Sequence, residues 1–197
     1  MFPEIRAAFP RRVFDPMVRL LARLGVTPNM ISWTGFIIST VAAILAGSGM
    51  LTAAGIVSLI GGGLDMFDGA LARMTGTASK FGALLDSSLD RFGEAVLLAG
   101  IITYYATEGN ITNVAIAAAA LMGSFMVSYV KARAEGLNIA CDVGFFTRPE
   151  RVVVLGLGLM LGPVGLGIAV VATAIAANIT AFQRLLHVYK ELQRTQQ

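Results

Sequence analysis

A single cysteine, Cys141, means that no disulfide can close within this chain. Charge is scarce as well: 14% of the residues are Asp, Glu, Lys or Arg, against about 25% in ordinary soluble domains. No polar linker, low-complexity run or useful internal repeat divides the sequence, which points to one membrane domain. The basic, Pro-interrupted start MFPEIRAAFPRRVFDPMVRLLARLG has no short apolar core followed by a small-residue cleavage site, so a secretory signal is not expected.

What fills the chain is hydrocarbon, with 56% hydrophobic residues and a mean hydropathy of +0.74. A span needs about 20 apolar residues to cross about 30 Å of lipid core. Six segments qualify as candidates: Met30–Gly49, Leu51–Met74, Phe81–Tyr105, Asn113–Ala134, Glu150–Leu161 and Val164–Val188, the fifth being short. All fifteen lysines and arginines fall before the first segment, at or beyond the end of the sixth, or around alternate connections. The intervening turns carry one charge, Glu108. Because cytoplasmic loops hold the Lys/Arg excess, this distribution predicts six spans in a cell (plasma) membrane with both termini cytoplasmic.

Residues 1–24 are expected to form a separate arm ahead of a membrane domain at 25–197. There Phe9, Val13, Phe14, Met17, Leu20, Leu21 and Leu24 recur at three- and four-residue steps among arginines. The pattern predicts an amphipathic interfacial helix, attracted to anionic headgroups or packed on the bundle. The expected fold is therefore all-α: six transmembrane helices plus an N-terminal juxtamembrane helix. The net charge of +3 follows membrane topology, and no aromatic-basic platform accompanies it, so nucleic acid is not an expected partner.

Against this background the stretch LDMFDGALARMTGTASKFGALLDSSLDRFGEA stands out. Asp65 and Asp68 are three apart on one predicted helix; Asp86 and Asp90 are four apart on the next. Each pair shares a face. Ionisable groups in spans are costly and usually face a bundle interior or watery cavity. Antiparallel packing of the two helices would bring all four carboxylates together, where they repel unless a cation neutralises them. An all-oxygen ligand set favours Mg²⁺, Mn²⁺ or Ca²⁺ over zinc, and the only histidine, His187, is remote in sequence. With Arg73 nearby, a carboxylate–metal site suggests phosphate chemistry. A proton or cation transporter and structural ion pairing remain open on these residues alone; the position of the acids at one end of their helices, away from the midplane, weighs against transport.

The ordered residues Asp65-x-x-Asp68-Gly69-x-x-Ala72-Arg73, then eight residues, then Gly82-x-x-x-Asp86-x-x-x-Asp90 resemble the signature of the CDP-alcohol phosphatidyltransferases at all of its positions. The stretches SYVKARAEG (128–136) and GFFTRPERVVV (144–154) look like those of bacterial phosphatidylinositol-phosphate synthases. The resemblance implies two Mg²⁺ per site, with Mn²⁺ as an alternative, held by Asp65, Asp68, Asp86 and Asp90, and Asp90 as general base. It implies CDP-lipid contacts at Pro28, Asn29, Met30, Ile31, Gly69, Arg73 and Ser79. It further implies an acceptor-phosphate site at Ser128, Lys131, Arg133, Arg148, Arg151 and Arg184, on the cytoplasmic side. The implied substrates are CDP-diacylglycerol and a phosphorylated polyol, inositol phosphate before glycerol 3-phosphate, and the implied assembly is a homodimer among membrane lipids. Glu94, one turn beyond Asp90, is expected to support the site or to sit in a packed ion pair.

Overall fold

The computed structural model describes residues 11–195, and it is helical throughout. In chain order the elements are α1 (Arg11–Arg23), α2 (Pro28–Gly47), α3 (Leu51–Thr75), α4 (Lys80–Thr107), α5 (Ile111–Glu135), α6 (Arg148–Met160) and α7 (Gly162–Thr195). The first ten residues of the predicted arm lie outside the described residues; α1 accounts for the rest of it.

Local chemistry sets the boundaries. Pro28 opens α2 behind Thr27, whose hydroxyl accepts the Met30 N–H at 3.3 Å. Ser79 caps α4 by accepting the Gly82 N–H at 3.0 Å, and Asn110 caps α5 by accepting the Asn113 N–H at 3.0 Å. At α6, Glu150 reaches back to accept the Thr147 N–H at 2.9 Å. Each such cap stabilises a helix by about 1 kcal/mol and satisfies a donor that the first turn leaves unpaired. The stop of α3 is Gly76, at φ 66°, a left-handed conformation that glycine adopts without a Cβ clash.

The bundle mixes alanines with leucines and isoleucines inside and keeps large apolar side chains outside. Ala42, Ala46, Ala54, Ala117, Ala120 and Ala177 are fully buried. Ile37, Ile44, Ile60, Met122, Ile168 and Phe182 are exposed. In water such a surface would aggregate; in lipid it is the expected arrangement, because helices there associate through small residues that let backbones approach. A Cβ at Gly55 of α3 would stand 2.6 Å from the Gly156 carbonyl oxygen of α6, so that contact requires glycine.

Four helices, α2, α3, α5 and α7, are long and apolar enough to cross a membrane. The protein is membrane-embedded. The other two predicted spans fall outside that group for different reasons. α4 concentrates Asp86, Asp90, Arg91 and Glu94 within nine consecutive residues, and α6 has 13 residues, about 20 Å of helix against about 30 Å of hydrocarbon. α7 continues seven residues past the predicted end at Val188, through Lys, Glu, Gln and Arg, which favour helix without favouring lipid.

The packing order departs from simple antiparallel pairing of α3 with α4. α2 packs on both of them, far more than they pack on each other, and so forms a common backing for the helices that carry the acids. α6 packs on α3 and α7, and α5 on α7, which completes the bundle. α1 lies against α3, with Val18 buried beside Ile31 and Leu71. Its Met17 and Leu20, and Leu24 just past its end, remain exposed.

Candidate active site

The four aspartates meet at the bundle end where α3 finishes and α4 begins. Asp68 is 5% exposed, and its carboxylate is held at both oxygens. The Gly69 N–H donates to Oδ1 at 2.5 Å, and the Ser32 hydroxyl of α2 donates to Oδ2 at 3.1 Å. Asp68 and Asp86 lie within hydrogen-bonding reach of each other across the gap between α3 and α4. Asp65 and Asp90 are bridged by Arg148 from the first turn of α6: Nη2 donates to Asp65 Oδ2 at 2.5 Å, and Nη1 lies 2.9 Å from Asp90 Oδ2. Three helices are thus tied together by one guanidinium.

Among the described residues no three acidic side chains surround a single point at metal-ligand spacing. Arg148 draws Asp65 and Asp90 to itself. The donor set nevertheless fits a hard divalent cation: four carboxylates, no nitrogen or sulfur ligand, and one bridging cation already among them. A single guanidinium supplies a quarter of the charge that four ionised carboxylates need. Gly35 lets the Asp65 carboxylate lie close against α2, since a Cβ there would sit 2.6 Å from Asp65 Oδ1.

The residues expected to contact a CDP-lipid fall beside the acids in two groups. Asn29 and Ser79 both border Gly82, where a Cβ would lie 3.5 Å from Asn29 Oδ1 and 3.0 Å from Ser79 Oγ. Gly69 borders the exposed Arg73, with 3.3 Å between its would-be Cβ and Nη1. Pro28 and Met30 belong to the same first turn of α2, and Met30 is exposed. The Ile31 side chain is buried among Val18 and Leu71, so its side chain serves packing.

The expected acceptor cations are more committed to the protein than an open phosphate clamp requires. Arg151 is 1% exposed and forms a two-pronged pair with Glu94, Nε to Oε1 at 2.5 Å and Nη2 to Oε2 at 2.8 Å; its Nη1 donates to the Phe146 carbonyl. Glu94 is therefore the packed ion-pair partner of Arg151. Arg184 donates to the Val143 carbonyl at 2.9 Å and to that of Val127 at 2.7 Å, pinning the segment between α5 and α6 beneath the bundle end. Lys131 pairs with Asp142 at 2.5 Å, which holds that exposed carboxyl below its usual range. Arg133 is exposed, and Ser128 is half-buried on α5. Cys141 is buried in the same segment, and burial raises its thiol pKa.

Two contributors carried no signal that sequence reading could use, and a third was legible only in part. Ser32 lies 36 residues from Asp68, within an apolar run. Gly35 resembles any small residue of a helix contact. Arg148 was legible as a cation but not as the bridge between two acids.

A helical membrane bundle with four carboxylates and several arginines converging at one end defines a class: membrane enzymes that handle phosphate esters at a carboxylate-lined site. Residues 25–184 match the CDP-alcohol phosphatidyltransferase family, to which this chain belongs. It is 36% identical over 182 residues to the phosphatidylinositol phosphate synthase of Corynebacterium glutamicum, covering 88% of this chain and 83% of that one. It is 33% identical over 186 residues to the archaetidylinositol phosphate synthase of Methanothermobacter thermautotrophicus, covering 92% and 91%. Among solved structures it resembles the Mycobacterium tuberculosis phosphatidylinositol phosphate synthase with CDP-DAG bound, with a TM-score of 0.84 and 33% identity over 90% of this chain and 94% of that one. The same enzyme in complex with manganese and citrate also matches with a TM-score of 0.84, at 32% identity over 89% and 88%. The protein is an enzyme of the CDP-alcohol phosphatidyltransferase family.

Proposed function

We propose that this enzyme transfers the phosphatidyl group of CDP-diacylglycerol to a hydroxyl of inositol phosphate and releases CMP. The observation that carries the reading is the convergence of Asp65, Asp68, Asp86 and Asp90 from two helices, in the order of the family signature, beside Arg73 and Arg148. The choice of acceptor is supported by the relatives named above. They differ in their lipid, phosphatidyl or archaetidyl, and agree on inositol phosphate.

Asp65, Asp68, Asp86 and Asp90 would hold the divalent cations, two Mg²⁺ or Mn²⁺ per site. When bound, these supply charge that polarises the pyrophosphate and stabilises the departing CMP. Asn29, Ser79, Gly69 and Arg73 border the position of the CDP group, where Gly69 admits it and Arg73 offers N–H donors to its phosphates. Ser128, Lys131, Arg133, Arg148, Arg151 and Arg184 would make up the basic side of the acceptor-phosphate site, with exposed Arg133 the most available and Arg151 and Arg184 shaping that side from within, held by Glu94 and by two carbonyls. The acceptor oxygen forms a bond to the lipid-proximal phosphorus as the bond from that phosphorus to the CMP oxygen breaks. Asp90 takes the hydroxyl proton. In-line displacement of this kind depends mainly on positioning and charge stabilisation.

The same reading includes six membrane crossings with the site and both termini cytoplasmic, an arm at 1–24 on the membrane surface, a catalytic domain at 25–197, and a homodimer. The one-sided Lys/Arg distribution supports the orientation, and α1 with its exposed apolar residues supports the arm.

The test is CMP release from radiolabelled CDP-diacylglycerol by the purified protein with Mg²⁺ and inositol phosphate, glycerol 3-phosphate or free inositol. Conversion with inositol phosphate is expected. Conversion with glycerol 3-phosphate alone would reject the acceptor, and no release with any of the three would reject the reaction.

A further inference from the structure

We propose that Ser32 and Gly35, about one turn apart on α2, are positioning residues that set the carboxylates of Asp68 and Asp65 for metal binding. The proposal rests on the metal-dependent reading above and assigns to α2 a role that the acid motif does not contain.

The hydroxyls of α2 provide an internal comparison. Thr34 and Thr40 donate to carbonyls four residues back, Met30 at 2.7 Å and Phe36 at 2.9 Å, as a hydroxyl in a helix ordinarily does. Ser32 has the same option at Pro28, but there the distance is 3.3 Å, against 3.1 Å to Asp68 Oδ2. One hydroxyl proton serves one acceptor at a time, and an ionised carboxylate is the stronger one. Ser32 and Asp68 are both buried, at 4% and 5% exposure, so water competes little for the bond. With the Gly69 N–H on the other oxygen, both Asp68 oxygens are anchored, and each keeps a lone pair for a cation.

Gly35 acts by absence. At Gly55, an added Cβ would meet the backbone of a neighbouring helix, the Gly156 carbonyl oxygen at 2.6 Å and the Met160 nitrogen at 2.8 Å, which is a packing constraint. At Gly35 the nearest atom is Asp65 Oδ1, the end of a side chain, and the next is 3.8 Å away. An added methyl there displaces the carboxylate rather than a helix. Hydrogen-bond partners of metal ligands change metal affinity by about 10- to 100-fold when removed, and α2 supplies one such partner and one such space.

The experiment is a Mn²⁺ titration of the full chain in detergent, without lipid or acceptor, in which free Mn²⁺ is read by its paramagnetic resonance signal. The metal KM and kcat for CMP release are measured in parallel. Ser32→Ala is expected to weaken Mn²⁺ binding about tenfold and to raise the metal KM more than it lowers kcat. Ser32→Thr, which keeps the hydroxyl, is expected to restore binding. Gly35→Ala is expected to weaken binding at least as much, and it carries the test if Ser32→Ala does not fold. A Ser32→Thr variant as weak as Ser32→Ala would assign the loss to packing and overturn the role of the hydrogen bond. Wild-type affinity in both Ser32→Ala and Gly35→Ala overturns the assignment alone, whereas wild-type protein that binds no Mn²⁺ overturns the metal-dependent reading and the assignment with it.

Discussion

The acidic and basic halves of the proposed site are built in opposite ways. The acids come from adjacent turns of two consecutive helices, and their partners, Ser32 and Arg148, arrive from elsewhere in the chain. The basic residues come from three separate elements, and several are already satisfied by the protein itself: Arg151 by Glu94, Arg184 by two carbonyls and Lys131 by Asp142. A dense local motif leaves little choice about where its groups meet. Dispersed cations can serve a ligand, hold the fold or do both, and only their contacts tell these roles apart.

The sharpest way to break this comparison is at Asp90. Asp90→Asn removes the proposed base while keeping the shape of the side chain, and CMP release should fall by about 10³-fold or more. CDP-lipid binding, measured by equilibrium titration, should persist. Retained turnover would remove Asp90 from that role.

A comparably large effect, on stability instead of chemistry, is expected at the buried pair. Arg151→Met leaves Glu94 buried and unpaired, which typically costs about 3–5 kcal/mol. Thermal unfolding should register it in the absence of any ligand. Replacing both residues, Glu94→Gln with Arg151→Met, should recover much of that loss. If the single variant is as stable as wild type and only the acceptor KM rises, Arg151 is a ligand group and the contrast drawn here fails for it.

Arg148 stands on both sides of the comparison and carries the smallest predicted change, of opposite sign. Arg148→Gln takes a cation out of the acid cluster, so Mn²⁺ affinity without substrate should increase, by about tenfold for a loss of about 1.4 kcal/mol of competition. The KM for inositol phosphate should rise in the same variant. Weaker Mn²⁺ binding would show that Arg148 supports the ligands instead of competing with the metal.

Much of the fold was legible in the sequence because lipid imposes a simple code. Five of the six predicted segments end within about two residues of the observed helices, since hydropathy, Pro28, Asn110 and Gly76 act locally. The exceptions have physical causes. The polar end of α7 is helical without being apolar, and the charge of α4 and the shortness of α6 separate them from the helices that qualify as spans by composition. Within the site, the spacing of Asp65, Asp68, Asp86 and Asp90 announced two shared helix faces. It did not announce that α2 would stand behind both, because nothing in an apolar run encodes a partner 36 residues away.

By itself, then, the sequence determined a membrane-embedded helical chain, the clustering of its lysines and arginines around alternate connections and four carboxylates paired on two helix faces. These follow from composition, helical period and short-range spacing. The tertiary structure decided which cations are free. It turned Arg151 inward to Glu94, set Arg148 between Asp65 and Asp90, and brought Ser32 to Asp68. Burial makes the difference: away from water a charged or polar group must find its partner within the protein, and the partner that it finds depends on which helices pack together.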